Sequence, residues 1–304
     1  MNARILALPF DATALEGLSE KLLRSHHQHN YGDAVNRLNA IRTQWRELSF
    51  ASVPGFQLNG LKREELMATN AMLLHELYFD GLGGTGVPMA PAMELALRAN
   101  FGSLARWREE FVAMGQALGG GSGWVLLVFQ PREGTLLNQW SADHGHAVAG
   151  GVPILALDMY EHAYHLDHGA AAGPYVDAFM QNIPWNRVYR RYQRAVEQAS
   201  DALGATQAEA VDALLLDVRR SAVFELSDVV IPGAQWRDPG DSATWSAQLP
   251  RDRDVVVYCV HGHEVSRATA MSLRAAGVRA RYLRGGIDAW KAAGQPLQTK
   301  GGRS

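Results

Sequence analysis

Cysteine is almost missing from this 304-residue chain, and Cys259 is its single example. An intrachain disulfide is therefore impossible, and the reactivity of that one thiol becomes the question to ask. The basic excess that nucleic-acid binding needs is missing too. Lys and Arg number 29 against 31 Asp and Glu, a formal charge of -2, and no Lys/Arg cluster is expected beside exposed aromatic residues. Nucleic acid is thus not an expected partner. No segment approaches the roughly 18 uninterrupted apolar residues of a membrane span, and residues 1–14 lack a basic region followed by a long apolar run. The expectation is a cytoplasmic protein without a membrane partner. A content of 47% hydrophobic and 20% charged residues is ordinary for a globular chain, and 304 residues exceed one compact core, so two domains are expected.

Chemistry is concentrated in Leu155-Ala156-Leu157-Asp158-Met159-Tyr160-Glu161-His162-Ala163-Tyr164. A carboxylate and an imidazole a few residues apart, after an apolar strand-like run, form half of a metal site. The other half is expected from His26, in Ser25-His26-His27-Gln28-His29, and His75, in Met72-Leu73-Leu74-His75-Glu76-Leu77-Tyr78, because both lie in helical patterns whose apolar faces turn them inward. Three histidines and an aspartate are a hard N/O set that suits iron or manganese. Zinc stays open by ligand type, whereas calcium or magnesium would be held by oxygens alone. His27, His29, His146 and His168 are expected to face solvent or bond locally.

Residues 12–47 have a helical pattern with Asp11 as N-cap, and a second helix spans 62–78, so the two suggest an antiparallel hairpin. A third helical stretch runs from Pro91 to Leu118 with a break at Gly102, and 124–129 and 152–157 read as strands. The pattern weakens near 199–207, read as a linker. Beyond it come strands at 214–219, 254–259 and 280–283 and a helix at 265–276 closed by Gly277, a parallel α/β unit. The fold class is α+β followed by α/β, divided as 1–198 (a helical hairpin to 88, then an α/β half), the linker, 208–298 and a tail at 299–304.

The half-site with its flanks, His26 and His75, Phe101-Gly102-Ser103 and Gly121-Ser122-Gly123-Trp124 resemble the iron/manganese superoxide dismutase family over roughly residues 1–195. The resemblance implies that His26, His75, Asp158 and His162 hold one Fe or Mn ion per subunit, iron favoured, and that superoxide is converted to dioxygen and hydrogen peroxide. It further implies Trp124 as a wall of the site, His144 as a neighbour of the ligands in place of the family's glutamine, and Tyr160 where a tryptophan is common. Glu161 is similar to the glutamate that bonds the partner subunit's ligand histidine, with His165 as a second dimer contact, which implies a homodimer or homotetramer. Departures also occur. Asn30 stands where the family commonly has a gateway histidine, Ala34 and His165 where it has tyrosines, and Ala71 at the earlier of its two glutamine positions. Tyr31, on the same helix, is the candidate to supply the lost hydroxyl at the gateway.

Cys259 ends an apolar strand and is followed by Val260-His261-Gly262-His263-Glu264 before the next helix. Loop N–H groups and the helix's positive end could stabilise a thiolate there. Asp217-Val218-Arg219, Ile231-Pro232-Gly233-Ala234, this loop and Leu283-Arg284-Gly285-Gly286-Ile287-Asp288-Ala289-Trp290 resemble rhodanese-like sulfurtransferases over about residues 208–298. The resemblance implies that Cys259 carries sulfane sulfur as a persulfide between a donor and a thiol acceptor. Glu264 replaces a loop cation and is expected to repel anionic donors such as thiosulfate, while Val230 replaces a histidine at a structural position. Two other functions stay open: a metal-bearing redox or sulfur sensor with little turnover, and a dismutase-type site turned to sulfide oxidation.

Overall fold

The structure, a computed structural model, describes residues 2–84, 86 and 88–300; positions 301–304 of the expected tail lie outside them. The N-terminal segment is extended and tied down, with Asn39 exchanging hydrogen bonds of 2.8 and 3.0 Å with the backbone of Ala3. The first helix does not begin at residue 12. Asp11 instead closes a turn, accepting from the Thr13 backbone at 2.9 Å and its hydroxyl at 2.8 Å. That local bonding competes with helix. Helix α1 (Glu20–Ser25) starts where the Ser19 hydroxyl accepts the Leu22 N–H. It passes through one π-helical turn, His26–Tyr31, into α2 (Gly32–Glu47).

Helix α3 (Gly55–Asp80) returns antiparallel, pairing Glu64 with Arg37 and packing Ala68 against Leu38 and Ile41. It begins ahead of the expected residue 62, because its first turn (Gly55, Phe56 and Gln57 among it) is exposed and carries no apolar periodicity. Helices α4 (Pro91–Phe101) and α5 (Leu104–Ala117) are parted at Gly102, whose φ of +85° suits glycine. An antiparallel sheet follows, with β1 (Trp124–Gln130) between β2 (Thr135–Ser141) and β3 (Val152–Asp158). Strand β2 gave no clear sequence signal, since Thr-Leu-Leu-Asn-Gln-Trp-Ser neither alternates nor runs apolar; pairing to β1 makes it a strand. Short α6 (His165–His168), α7 (Ala172–Gln181) and α8 (Trp185–Ser200) complete this half.

The second domain comprises β4 (Gly204–Ala205), α9 (Gln207–Ala210), β5 (Leu214–Asp217), α10 (Ser221–Glu225), β6 (Val229–Val230), β7 (Gln235–Trp236), α11 (Ser242–Trp245), β8 (Val255–Tyr258), α12 (Glu264–Ala275), β9 (Ala280–Leu283), α13 (Gly286–Ala292) and β10 (Gln298–Thr299). Five parallel strands run in the order β4-β9-β8-β5-β7. Two expected boundaries give way here. The span 199–207 is not a free linker, because β4 pairs with Tyr282 and Leu283, and Thr206 and Glu209 form a capping box. Thr299 is not tail, because it pairs with Val229 across β10 and β6.

The domains are packed together rather than strung apart. Met271 of α12 joins the core of the first domain, and Arg98 donates to both oxygens of Asp238 at 2.9 and 3.0 Å. Glu264, buried at the start of α12, accepts from the Tyr189 hydroxyl at 2.6 Å and the Gln193 amide at 3.2 Å on α8.

Gly123, with φ of +135°, leads into β1, and a Cβ there would strike the Ser141 carbonyl. Gly123→Ala is expected to cost about 2–4 kcal/mol from strain plus overpacking. Gly120→Ala, where a Cβ would meet nothing within 4 Å, serves as control and is expected to cost about 1 kcal/mol. Denaturation midpoints would measure both, and equal losses would show that strain alone sets the cost.

Candidate metal centre and thiol loop

Four elements converge on one buried carboxylate. Asp158 ends β3, directly opposite Trp124 in the β1 register, so both side chains share a sheet face. His26 opens the π turn, His75 lies on the facing turn of α3, and His162 sits in the short 3-10 turn Glu161–Ala163 after β3. The donor atoms of His26, His75, Asp158 and His162 all lie within 4.8 Å of one another. His26 Nε2 and His162 Nε2 are each 3.1 Å from Asp158 Oδ2, and His75 Nε2 is 3.5 Å from it. Such separations suit donors sharing one ion with bonds of about 2.1 Å.

Protonation states agree with that use. Burial pushes His26 below its ordinary value, and burial with His26 nearby lowers His75 to about 3. Burial alone would raise Asp158, but the charge and hydrogen bonds of His162 and His26 outweigh it and hold the carboxyl below its usual range. His75 Nδ1 donates to the Ala71 carbonyl at 2.6 Å, which leaves Nε2 as a lone pair facing Asp158. Among the described residues, buried His75 Nε2 and His26 Nδ1 both lack a hydrogen-bond partner. For His75 the orphan is the nitrogen aimed into the cluster, which is what a metal ligand looks like without its ion. The residues present fit a hard transition-metal ion.

Around this cluster the neighbours are aromatic. Trp124, fully buried, sets its ring perpendicular to His75 with centroids 5.3 Å apart. Its Nε1–H donates to His144 Nδ1 at 3.0 Å. Because tryptophan only donates, His144 is fixed with its proton on Nε2. Tyr160 stacks between His144 at 4.9 Å and His162 at 5.3 Å. A cavity of about 320 Å³ leads to the cluster, lined by Asn30, Ala34, Ala71, His75, His144 and His162 among others.

Tyr31 does not reach this cavity. Its hydroxyl accepts from the Leu6 N–H at 2.9 Å and donates to Glu76 at 3.0 Å, on the side of the N-terminal segment. The π turn sends Asn30 to the cavity and Tyr31 away from it. His146 bonds locally, accepting from Ala142, whereas His27 and His168 reach the backbone carbonyls of Leu6 and Gly17 far along the chain. Glu161 and His165 are exposed. Two supports were missed in the sequence. Tyr175, buried, donates to the Asp158 carbonyl at 2.6 Å, and Asn70 donates to the His144 carbonyl at 2.6 Å. Only tertiary proximity reveals either.

In the second domain, Cys259 follows β8 and is buried. The expected ring of backbone donors is not what meets its sulfur. Among the described residues Sγ pairs with the Ser266 hydroxyl at 3.2 Å. The loop is instead drawn onto α13, with Ile287 N–H donating to the Cys259 carbonyl at 3.0 Å and Asp288 N–H to Val260 at 3.1 Å. A Cβ on Gly286 would collide with those same carbonyls. Glu264 does not face the thiol as expected, because Tyr189 and Gln193 hold its carboxylate at the domain junction. Asp217 and Arg219 form a buried pair, to which Tyr258 adds a hydrogen bond of 3.0 Å. Val230 is structural, in β6.

Comparison with known proteins agrees with both domains. Residues 89–191 match the model for iron/manganese superoxide dismutases, C-terminal domain, and residues 196–293 match the rhodanese-like domain. The chain is similar to a superoxide dismutase [Fe] of Cupriavidus metallidurans, 61% identical over 182 residues that cover 60% of this chain and 92% of the relative. The chain belongs to the iron/manganese superoxide dismutase family. Among its further relatives are a superoxide dismutase [Mn] 2 of Haloferax volcanii, 34% identical over 65% of this chain and 98% of the relative, and a superoxide dismutase [Fe] of Aquifex pyrophilus, 31% identical over 60% and 88%. In this family member the dismutase half is joined to a rhodanese-like domain, and no helix among the described residues is long and apolar enough to cross a membrane.

His75→Ala is expected to lower iron or manganese content at least tenfold, because it deletes one donor and leaves Asp158 under-compensated. Elemental analysis checks it. Stripping metal from the wild type with a chelator is expected to lower its melting temperature, since an ion bound only by the folded state stabilises it, whereas His75→Ala should melt at one temperature with or without chelator.

Proposed function

We propose that this protein is a superoxide dismutase whose ion, iron in preference to manganese, is held by His26, His75, Asp158 and His162. The observation that carries the reading is the gathering of three imidazoles around one buried carboxylate. Iron is favoured because the 61% identical relative is named for iron, whereas the manganese-named relatives are near 34%. Bound there, the ion supplies the one-electron change that superoxide disproportionation needs in each direction.

The chain's own residues supply position and protons. Asp158 provides the anionic donor, and the Ala71 carbonyl orients His75. Trp124 holds His144 so that its Nε2–H is free to donate into the cavity. Asn30, Ala34 and Ala71 carry no titratable group, and of the cavity's titratable side chains outside the ligand set His144 is the one packed against His75, so proton delivery is assigned to it. Glu161, exposed beside His162, is assigned to a homodimer contact with His162 of the partner subunit, and His165 to its rim. Cys259 is assigned to carry sulfane sulfur as a persulfide, with a thiol as acceptor, and the cytoplasm is the matching location.

The test is superoxide turnover per bound metal, on protein reconstituted separately with iron and manganese. Iron protein is expected to turn over near the diffusional range, and His144→Ala to lose about 10²-fold with its metal content kept. Stoichiometric metal without turnover would remove the dismutase reading and favour a sensor. In parallel, Cys259→Ser should abolish protein persulfide formation, detected by mass spectrometry.

A further inference from the structure

We infer that the domain junction beside the thiol loop is a binding site for a small amino-acid or peptide thiol, whose persulfide delivers sulfur to Cys259. The site deepens the sulfur-carrying reading and rests on it. A cavity of about 230 Å³ lies between α8 of the dismutase half and the loop that leads from Cys259 into α12, lined by Arg190, Gln193, Arg194, Glu197, His263, Glu264 and Arg267. Neither half builds it alone.

Its chemistry is mixed in sign but cationic in balance. Three guanidinium groups face two carboxylates, and one of these, Glu264, already accepts from Tyr189 and Gln193. Arg267 is set in place by its bond to the Gly262 carbonyl at 2.9 Å and by its position 4.4 Å over the Tyr282 ring. Arg190 and Arg194 form no ion pair among the described residues. Two open guanidinium groups recognise carboxylates, and exposed Glu197 recognises an ammonium group, so the array matches the zwitterionic ends of an amino-acid-type ligand better than a bare oxyanion. The cation that the thiol loop lost at Glu264 is thus supplied from the other domain.

Cys259 does not line the pocket, and the loop links the two. Ser266 pairs with Cys259 Sγ at 3.2 Å and donates to the carbonyl of the pocket residue His263 at 3.3 Å. With the ligand's charged ends held at α8, the Cys259 thiolate attacks the outer sulfur of the donor RS–SH. A Cys259 S–S bond forms, the donor S–S bond breaks, and the released thiolate takes a proton to leave as RSH. No external oxidant or reductant is required.

Two measurements on the full chain test this. The first is calorimetric binding of S-methylglutathione, which cannot transfer sulfur, to Cys259→Ser and to Cys259→Ser carrying Arg190→Gln and Arg194→Gln. The second is persulfide formation on Cys259 from glutathione persulfide, in wild type and in Arg190→Gln/Arg194→Gln. Affinity is expected to fall about tenfold or more with both arginines replaced, and KM for the persulfide to rise by a similar factor with kcat within about twofold. Unchanged affinity and KM would overturn the site. Thiosulfate displacing S-methylglutathione at equal concentration would overturn the ligand class. Tight, arginine-dependent binding with no persulfide on wild-type Cys259 would overturn the sulfur-carrying reading instead.

Discussion

A negative charge buried at the end of β3 is the constraint on which the dismutase half depends. Asp158 is fully inaccessible, and an unpaired carboxylate in such a place would cost several kcal/mol. Folding therefore has to bring compensating groups to it from far along the chain. His162 comes with the next turn, but His26 and His75 come from the two arms of the hairpin, so burying the carboxylate and closing the hairpin on the sheet are one event. Tyr175 fixes the strand end through the Asp158 carbonyl, and the β1 register puts Trp124 opposite the same residue. The centre is a tertiary object built around an electrostatic debt.

Helix α8 connects this half to the thiol chemistry. Arg191 donates to the Ile154 carbonyl of β3 at 2.8 Å, while Tyr189 and Gln193, on neighbouring turns, hold Glu264 at the start of α12. One helix thus touches the strand that ends in Asp158 and the helix entered from the Cys259 loop. The metal cavity and the junction pocket share no lining residue. The fusion therefore offers mechanical continuity and closeness without a common chamber, and a species passing between the sites would have to leave one before entering the other.

Much of this was legible in the sequence where a pattern is local. The ligand set, Trp124 and His144, the Gly102 break and the parallel character of the second sheet follow from spacing, turn residues and family resemblance. What escaped was decided by contacts between distant residues. Asp11 is a good cap by type, yet its nearer bond with Thr13 wins; Ser19 caps instead. The polar β2 becomes a strand only through β1, and the weak pattern at 199–207 hides a two-residue edge strand paired to β9. Glu264 was judged by the motif it interrupts, but a neighbouring domain sets its direction. Tyr31 was judged by its helix, but one π turn changes which residue of that helix faces the metal.

That turn has a chemical consequence. With Tyr31 bonded to Leu6 and Glu76, this stretch of chain lines the cavity with His29, Asn30, Asp33, Ala34 and Arg37 instead. Asn30 and Ala34 cannot give up a proton, so the titratable groups on this side of the cavity are His29 and Asp33, with Glu64 facing them from α3. The tryptophan-held His144 lies deeper, stacked on Tyr160, and its free Nε2–H stands beside His75 and His162. Burial lowers the pKa of His144, which keeps the imidazole neutral and single-protonated rather than cationic. A neutral donor costs less to hold next to the metal cluster than a charged one. On the proposed reading, proton handling lies at the inner wall, at the position where the resemblance implies histidine in place of glutamine.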